Sequence, residues 1–259
     1  MIKRNLLYFL GFLLFAAVAC KKNDLRIIKF DLPEDKAYAK FVLLSPGTPA
    51  VMIKVNDVKV NGATTSGSLG LFPLSLANPD YAAIEPNANF RLSLPNIATT
   101  NDSVLFFNSK LEMQAGKFYS VSLADTGVDR TVFAIEDKLD ALPADSFVNI
   151  RLINAMAKTS PLSLIRVDST SATVVTRDTI AKNIQFKSAS DFITVRATPR
   201  NSFLRYRLVI TQTGVPVGPN LAITSFTPLF RRYATIYAHG FGNGTGSLAP
   251  GILGLIYNK

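Results

Sequence analysis

The chain has no tryptophan, one histidine and one cysteine among its 259 residues. A lone cysteine excludes an internal disulfide, so whatever folds here stands on its apolar cores even in an oxidising compartment. A lone histidine, His239, excludes a histidine-rich metal site and makes any histidine-based triad depend on a single residue. Acidic residues are also scarce, 18 against 28 Lys and Arg. The basic residues are nevertheless scattered. Beyond the first twenty residues the longest runs are Lys21-Lys22 and Arg231-Arg232, and neither lies among the interleaved aromatics of a nucleic-acid groove. No nucleic-acid partner is expected. Long apolar runs are missing as well, with one exception.

That exception is Leu6 to Ala19, fourteen residues apolar apart from Gly11 and Tyr8, which follow Lys3-Arg4 and run into Cys20. At about 1.5 Å per residue such a helix covers roughly 21 Å, short of the ~30 Å hydrocarbon core. A basic start, a short apolar stretch and the small residues Ala17-Val18-Ala19 form the order of an export signal. The segment ending at Cys20 resembles the bacterial lipobox, with Ala17 where that pattern favours Leu. The reading is a signal peptide over 1–19, a lipid-modified Cys20, and a tether over 20–35. Each buried methylene adds about 0.8 kcal/mol, and more than one acyl chain makes anchoring durable. The expected membrane partner is reached through Cys20. Removing Lys3 and Arg4 leaves 26 basic against 18 acidic side chains, a charge of +8.

The remainder reads as β-structure. Apolar or alternating runs of four to eight residues recur between Pro, Gly, Asn and Asp. They are Phe41–Leu44, Val51–Val55, Phe90–Leu94, Val104–Phe107, Phe118–Leu123 and Thr131–Ile135, then Ile150–Ile153, Ser163–Val167, Thr173–Thr176, Phe192–Ala197, Arg205–Ile210 and Tyr233–Ala238. Asn61-Gly62 is expected to form a tight hairpin turn. The runs also repeat. Lys40 and Asn149 open similar strands, Pro49 and Pro161 precede the next, and Tyr119 and Tyr233 mark the closing ones, at separations of 109, 112 and 114 residues. A fixed period of this kind implies a tandem. Two immunoglobulin-like β-sandwich domains are therefore expected, over 36–137 and 145–259, joined by a linker over 138–144.

Phe41-Val42-Leu43-Leu44-Ser45-Pro46-Gly47-Thr48-Pro49-Ala50-Val51-Met52-Ile53-Lys54-Val55-Asn56 and Gly116-Lys117-Phe118-Tyr119-Ser120-Val121 resemble the domain-of-unknown-function family numbered 4397. Its repeats open with a strand, Ser-Pro, a Pro-Ala turn and a second strand, and close with a Tyr-bearing strand. Unit one matches well; unit two has Asn154-Ala155-Met156 in place of Ser-Pro. The resemblance implies a lipoprotein of the Bacteroidetes type, located at the outer membrane. With only Asp24 acidic behind Cys20, the periplasmic face is favoured slightly over the cell surface. The family brings no catalytic residues.

Little chemistry is visible beside this. The Gly240–Gly246 run lacks the Gly-Lys-Ser/Thr ending and the βαβ context of a phosphate loop, and no cofactor is expected. Asp125, Asp129, Glu136 and Asp137 would meet at one pole if the adjoining turns clustered, giving a hard-cation site or a hydrolytic acid pair; solvated turns are the plainer reading, and no metal site is assigned. Tyr81 after Asn78-Pro79-Asp80, Phe241 in the glycine-rich turn and His239 beside it are the candidate ligand contacts. The function expected is non-enzymatic: a lipid-anchored envelope protein whose loops bind a protein or a polysaccharide. The alternatives are a structural or adhesin-like assembly subunit and, behind it, a carboxylate-based glycoside hydrolase.

Overall fold

Two sets of side chains alternate along Ala37-Tyr38-Ala39-Lys40-Phe41-Val42-Leu43, and both are buried. Ala37, Ala39, Phe41 and Leu43 enter one core, whereas Val42 and the adjoining Leu44 enter another. Because successive side chains of a strand face opposite sides, such a strand belongs in a sheet covered on both faces. A computed structural model describes residues 32–61, 70–73, 80–95, 102–169, 175–197, 203–210, 222–223 and 230–259. Cys20 and the stretch before it lie outside the described residues, as does Gly62.

The fold is all-β. Among the described residues the first nine strands are β1 (Ala37–Leu43), β2 (Met52–Val55), β3 (Val58–Lys59), β4 (Gly70–Phe72), β5 (Ala82–Ile84), β6 (Ala88–Pro95), β7 (Asp102–Leu111), β8 (Phe118–Ala124) and β9 (Thr131–Glu136). Nine more follow: β10 (Phe147–Asn154), β11 (Leu162–Ser169), β12 (Val175–Ile184), β13 (Ser188–Ala189), β14 (Ile193–Arg196), β15 (Phe203–Ile210), β16 (Ala222–Ile223), β17 (Tyr233–His239) and β18 (Gly251–Tyr257). The sheets run β3-β2-β6-β7, β4-β1-β8-β9 with β5 also on β1, β13-β10-β17-β18 with β14 also on β10, and β12-β11-β15-β16. Adding nine to each strand of the first two sheets generates the other two. In both sets the opening strand lies parallel to the eighth, Tyr38 to Leu43 along Phe118 to Leu123, and Asn149 to Asn154 along Tyr233 to Ala238.

Pro33–Lys259 form one compact unit, and three apolar layers account for it. Phe41, Ile53, Phe90, Leu92 and Val121 fill the space between the first two sheets, with Phe41 stacked on Phe90 at 5.5 Å. Ile150, Leu152, Leu164, Ile180 and Ile236 do the same for the last two. The middle layer joins the two sets: Val42, Leu44, Leu71 and Ala124 meet Ile153, Ala155, Tyr237 and Ile256. Each fully buried aliphatic or aromatic side chain contributes about 1.5–3 kcal/mol. The order of layers is thus sheet, core, sheet, core, sheet, core, sheet.

The first hairpin turn joins β2 to β3 ahead of the expected Asn61-Gly62 turn, whose Gly62 lies outside the described residues. Asn56 and Asp57 join β2 to β3 with φ of 48° and 64°, the two left-handed residues that a type I′ turn requires. Asn61 has a different part: its side chain accepts a hydrogen bond from Ile53 N at 2.9 Å and donates to Val51 O, serving as an extra rung beside β2.

Candidate functional site

β1 and β10 each carry one cation among apolar residues, on the side that faces the middle layer. Lys40 is 0% exposed and Arg151 2%. Buried charges persist only when paired and hydrogen-bonded, and Asp137, directly after β9, is the counter-charge. Its carboxylate is ion-paired to Arg151 Nη2 and accepts from Tyr81 Oη at 2.6 Å, Ser120 Oγ at 3.0 Å and Asn258 Nδ2 at 3.0 Å. Arg151 completes its own set through Nε to Thr235 Oγ1 at 2.9 Å, Nη1 to Glu136 O and Nη2 to Ser120 Oγ, both at 3.1 Å. Thr235 Oγ1 donates in turn to Asn258 Oδ1 at 2.7 Å. The polar knot ties β5, β8 and β9 to β10, β17 and β18.

Lys40 Nζ donates to Tyr257 O and lies 5.1 Å from the Tyr81 ring centre. Burial lowers its pKa to about 8, against the opposing pull of Asp137 and Asp80. Burial likewise pushes the Tyr81 phenol well above its usual value, and the Asp137 charge adds to that.

Beside the knot opens a cleft of about 560 Å³. Its walls are the end of β9 (Ile135, Glu136), the connection (Lys138, Asp140), β10 (Asn149, Arg151), the stretch from Lys187 to Phe192, and Tyr233. Phe192 lies over the Arg151 guanidinium at 4.4 Å and meets Tyr233 edge-to-face at 4.9 Å. Tyr233 Oη donates to Ala141 O at 3.0 Å. Lys259 Nζ donates to Leu139 O and Asp140 O, so the connection is pinned to the second strand set.

The sequence candidates are dispersed. Tyr81 belongs to the knot and stands edge-on to Phe118. His239 ends β17 at the opposite end from Tyr233, opposite Gly251, and burial lowers its pKa to about 4. Phe241 is 4% exposed, under Lys158 Nζ at 5.2 Å. The four acids do not gather: Asp125 and Asp129 sit at one end of the β8–β9 hairpin, Glu136 and Asp137 at the other. Glu136 pairs with Lys117 at 3.1 Å. Sequence reasoning overlooked Lys40, Arg151 and Asn258. For Lys40 and Arg151 the readable signal was a single cation within an otherwise uncharged strand.

No family model matches the chain, and no curated protein matches it. Among solved structures, the fimbrial anchor protein Mfa2 from Porphyromonas gingivalis is similar at 12% identity and a TM-score of 0.30, over 86% of this chain and 99% of that one. A candidate adhesin from Bacteroides ovatus is similar at 12% identity and a TM-score of 0.25, over 89% and 97%. Likenesses this distant carry no argument about role.

Proposed function

We propose that this chain is a non-enzymatic, lipid-anchored protein of the cell envelope. It is held in the outer membrane through Cys20, faces the periplasm, and presents two β-sandwich domains, 36–137 and 145–259, to an envelope protein or a polysaccharide. Tandem repeats of the family numbered 4397 remain the family reading. The observation that carries the binding role is the cleft built jointly by β9, the connection, β10 and β17. Its floor is fixed by a polar knot whose carboxylate already accepts from four side chains. Asp137 is thereby a structural anion, and Glu136 is engaged by Lys117; neither carboxylate is left for acid–base chemistry, which supports binding as the role of the cleft. Concave sites with a few fixed polar groups are the usual places for ligands, and function on a generic scaffold resides in such sites.

Mild crosslinking in cells followed by purification from detergent-solubilised membranes tests the reading. A discrete envelope protein or polysaccharide should co-purify with the wild-type chain. Recovery of the chain alone, with control crosslinks formed efficiently, would count against it. Cys20→Ala should move the protein from the membrane to the soluble fraction and abolish incorporation of labelled fatty acid; a variant still in the membrane would remove the anchor from the proposal.

One observation favours the assembly-subunit reading. β7 is ten residues long, lies at the end of its sheet among the described strands, and carries Leu105 at 51% exposure. A long strand edge with an exposed apolar side chain is a template for another chain. Replacing Leu105 with Lys should leave the monomer intact and abolish any self-association seen by light scattering.

A further inference from the structure

A binding role for the cleft leaves its partner open, and a narrower assignment, resting on that role, comes from the lining. Of the charged side chains there, Arg151 is neutralised by Asp137 and Glu136 by Lys117. Four remain at the exposed rim: Lys138 and Lys187, Asp140 and Asp191. Two cations and two anions balance, so the lining has no dominant sign. Such a rim does not select a strongly anionic or cationic ligand, but it offers both donors and acceptors. The floor adds the half-buried Phe192, its ring set by the guanidinium below and by Tyr233 at its side. An ordered ring among mixed hydrogen-bonding groups offers an apolar surface for C–H faces and polar partners for hydroxyls, the two faces that an uncharged sugar presents together. The volume, about 560 Å³, lies within the ~300–1,000 Å³ range of small-ligand sites. An extended peptide would need a strand edge to pair with; β13 offers two residues and β9, at the end of its own sheet, six, so peptides form a contrasting arm of the test.

We infer that the cleft between β9, the connection and β10 binds a short neutral oligosaccharide, with Phe192 as the stacking surface and Asp191, Asp140, Lys138 and Lys187 as hydroxyl partners. The test uses the full chain in a detergent without a sugar headgroup. Probes are gluco-, manno-, galacto- and xylo-oligosaccharides of two to six units, with oligogalacturonate and a pool of envelope peptides as the contrasting arms. Saturation-transfer NMR and titration read binding; urea unfolding checks each variant. At least one neutral series should bind saturably. Phe192→Leu, which keeps an apolar contact on Arg151, should weaken that binding about tenfold or more, and the exposed pair Asp191→Asn and Asp140→Asn should weaken it severalfold, with unfolding midpoints unchanged for the latter. Binding by no neutral series, by oligogalacturonate or peptides alone, or by a neutral series indifferent to all three variants would overturn the inference. If the cleft fails in this way while crosslinking still recovers an envelope partner, the wider binding role survives it.

Discussion

Two residues carry most of the electrostatic risk in this molecule, Arg151 and Asp137, both nearly inaccessible to solvent. Removing one member of such a pair strands the other charge, which typically costs about 3–5 kcal/mol. Arg151→Met should therefore lower the urea unfolding free energy by about that amount. Adding Asp137→Leu to it should recover much of the loss, since an apolar replacement of both partners can be nearly neutral. His239 gives a pH-dependent counterpart. Burial holds its pKa at about 4 when folded, against about 6.5 in an unfolded chain. The stability linked to this group is present above pH 6.5 and disappears as pH falls from 6.5 through 4, about 3 kcal/mol in all. His239→Gln should flatten the stability profile in that window, read as the difference between variant and wild type in urea titrations at pH 7 and pH 4.5. A difference that stays constant across the window would refute the assignment. Both residues show why a sequence yields composition more readily than placement. Lys40 and Arg151 look like solvent-facing positions of alternating strands, and only the stacking of one sheet on another turns that face inward.

At the scale of elements, the strand runs were largely legible. Met52–Val55, Phe118–Ala124, Thr131–Glu136 and Tyr233–His239 lie within a residue or two of the apolar runs that announce them. β7 and β12 extend beyond their apolar runs because Asn108, Ser109, Arg177 and Asp178 continue the ladder by backbone pairing. β18 was hidden, since Gly251 and Gly254 weaken the strand pattern. Gly251 lies where any Cβ would overlap the His239 ring, so its glycine serves packing between strands rather than turning. The β17–β18 connection depends on another glycine for conformation. Gly240 has φ of +87° and its missing Cβ would meet the Ala249 carbonyl. Gly240→Ala should destabilise the protein by about 2 kcal/mol or more. Gly127→Ala, at φ of +60° with open space around it, should cost only about 1 kcal/mol. Equal losses in thermal melts would show that the Ala249 contact is irrelevant.

The whole molecule is governed by the middle layer. Its apolar members come equally from both strand sets, and the polar knot bridges the same two sheets, so neither set retains its outer covering without the other. Unfolding in urea should follow one transition by both fluorescence and circular dichroism. Ile153→Asp places an unpaired carboxylate in the layer and should split that transition into two. A single transition at the wild-type midpoint would mean that the layer contributes nothing to coupling. The layer itself was the least legible feature of the sequence. Periodicity shows one apolar face on β1 and β10 and a mixed second face, Lys40 with Val42 and Arg151 with Ile153, but it does not name what covers that second face or leaves the cleft open beside Phe192 and Lys138.

The parallel pairing of β1 with β8 has a consequence for how the chain is made. Tyr38 finds its partner Phe118 eighty residues later, and the opposite face of β1 waits for Ile153 and Tyr237. At a synthesis rate of about 5–20 residues per second, the first interval alone lasts roughly 4–16 seconds. The first of the described strands to emerge is thus fully enclosed only when the second strand set is made. In a growing chain one edge of Ala37–Leu43 is covered early, by Gly70–Phe72 and Ala82–Ile84, while the other stays open throughout that time, so the two sides of a single strand mature on different clocks.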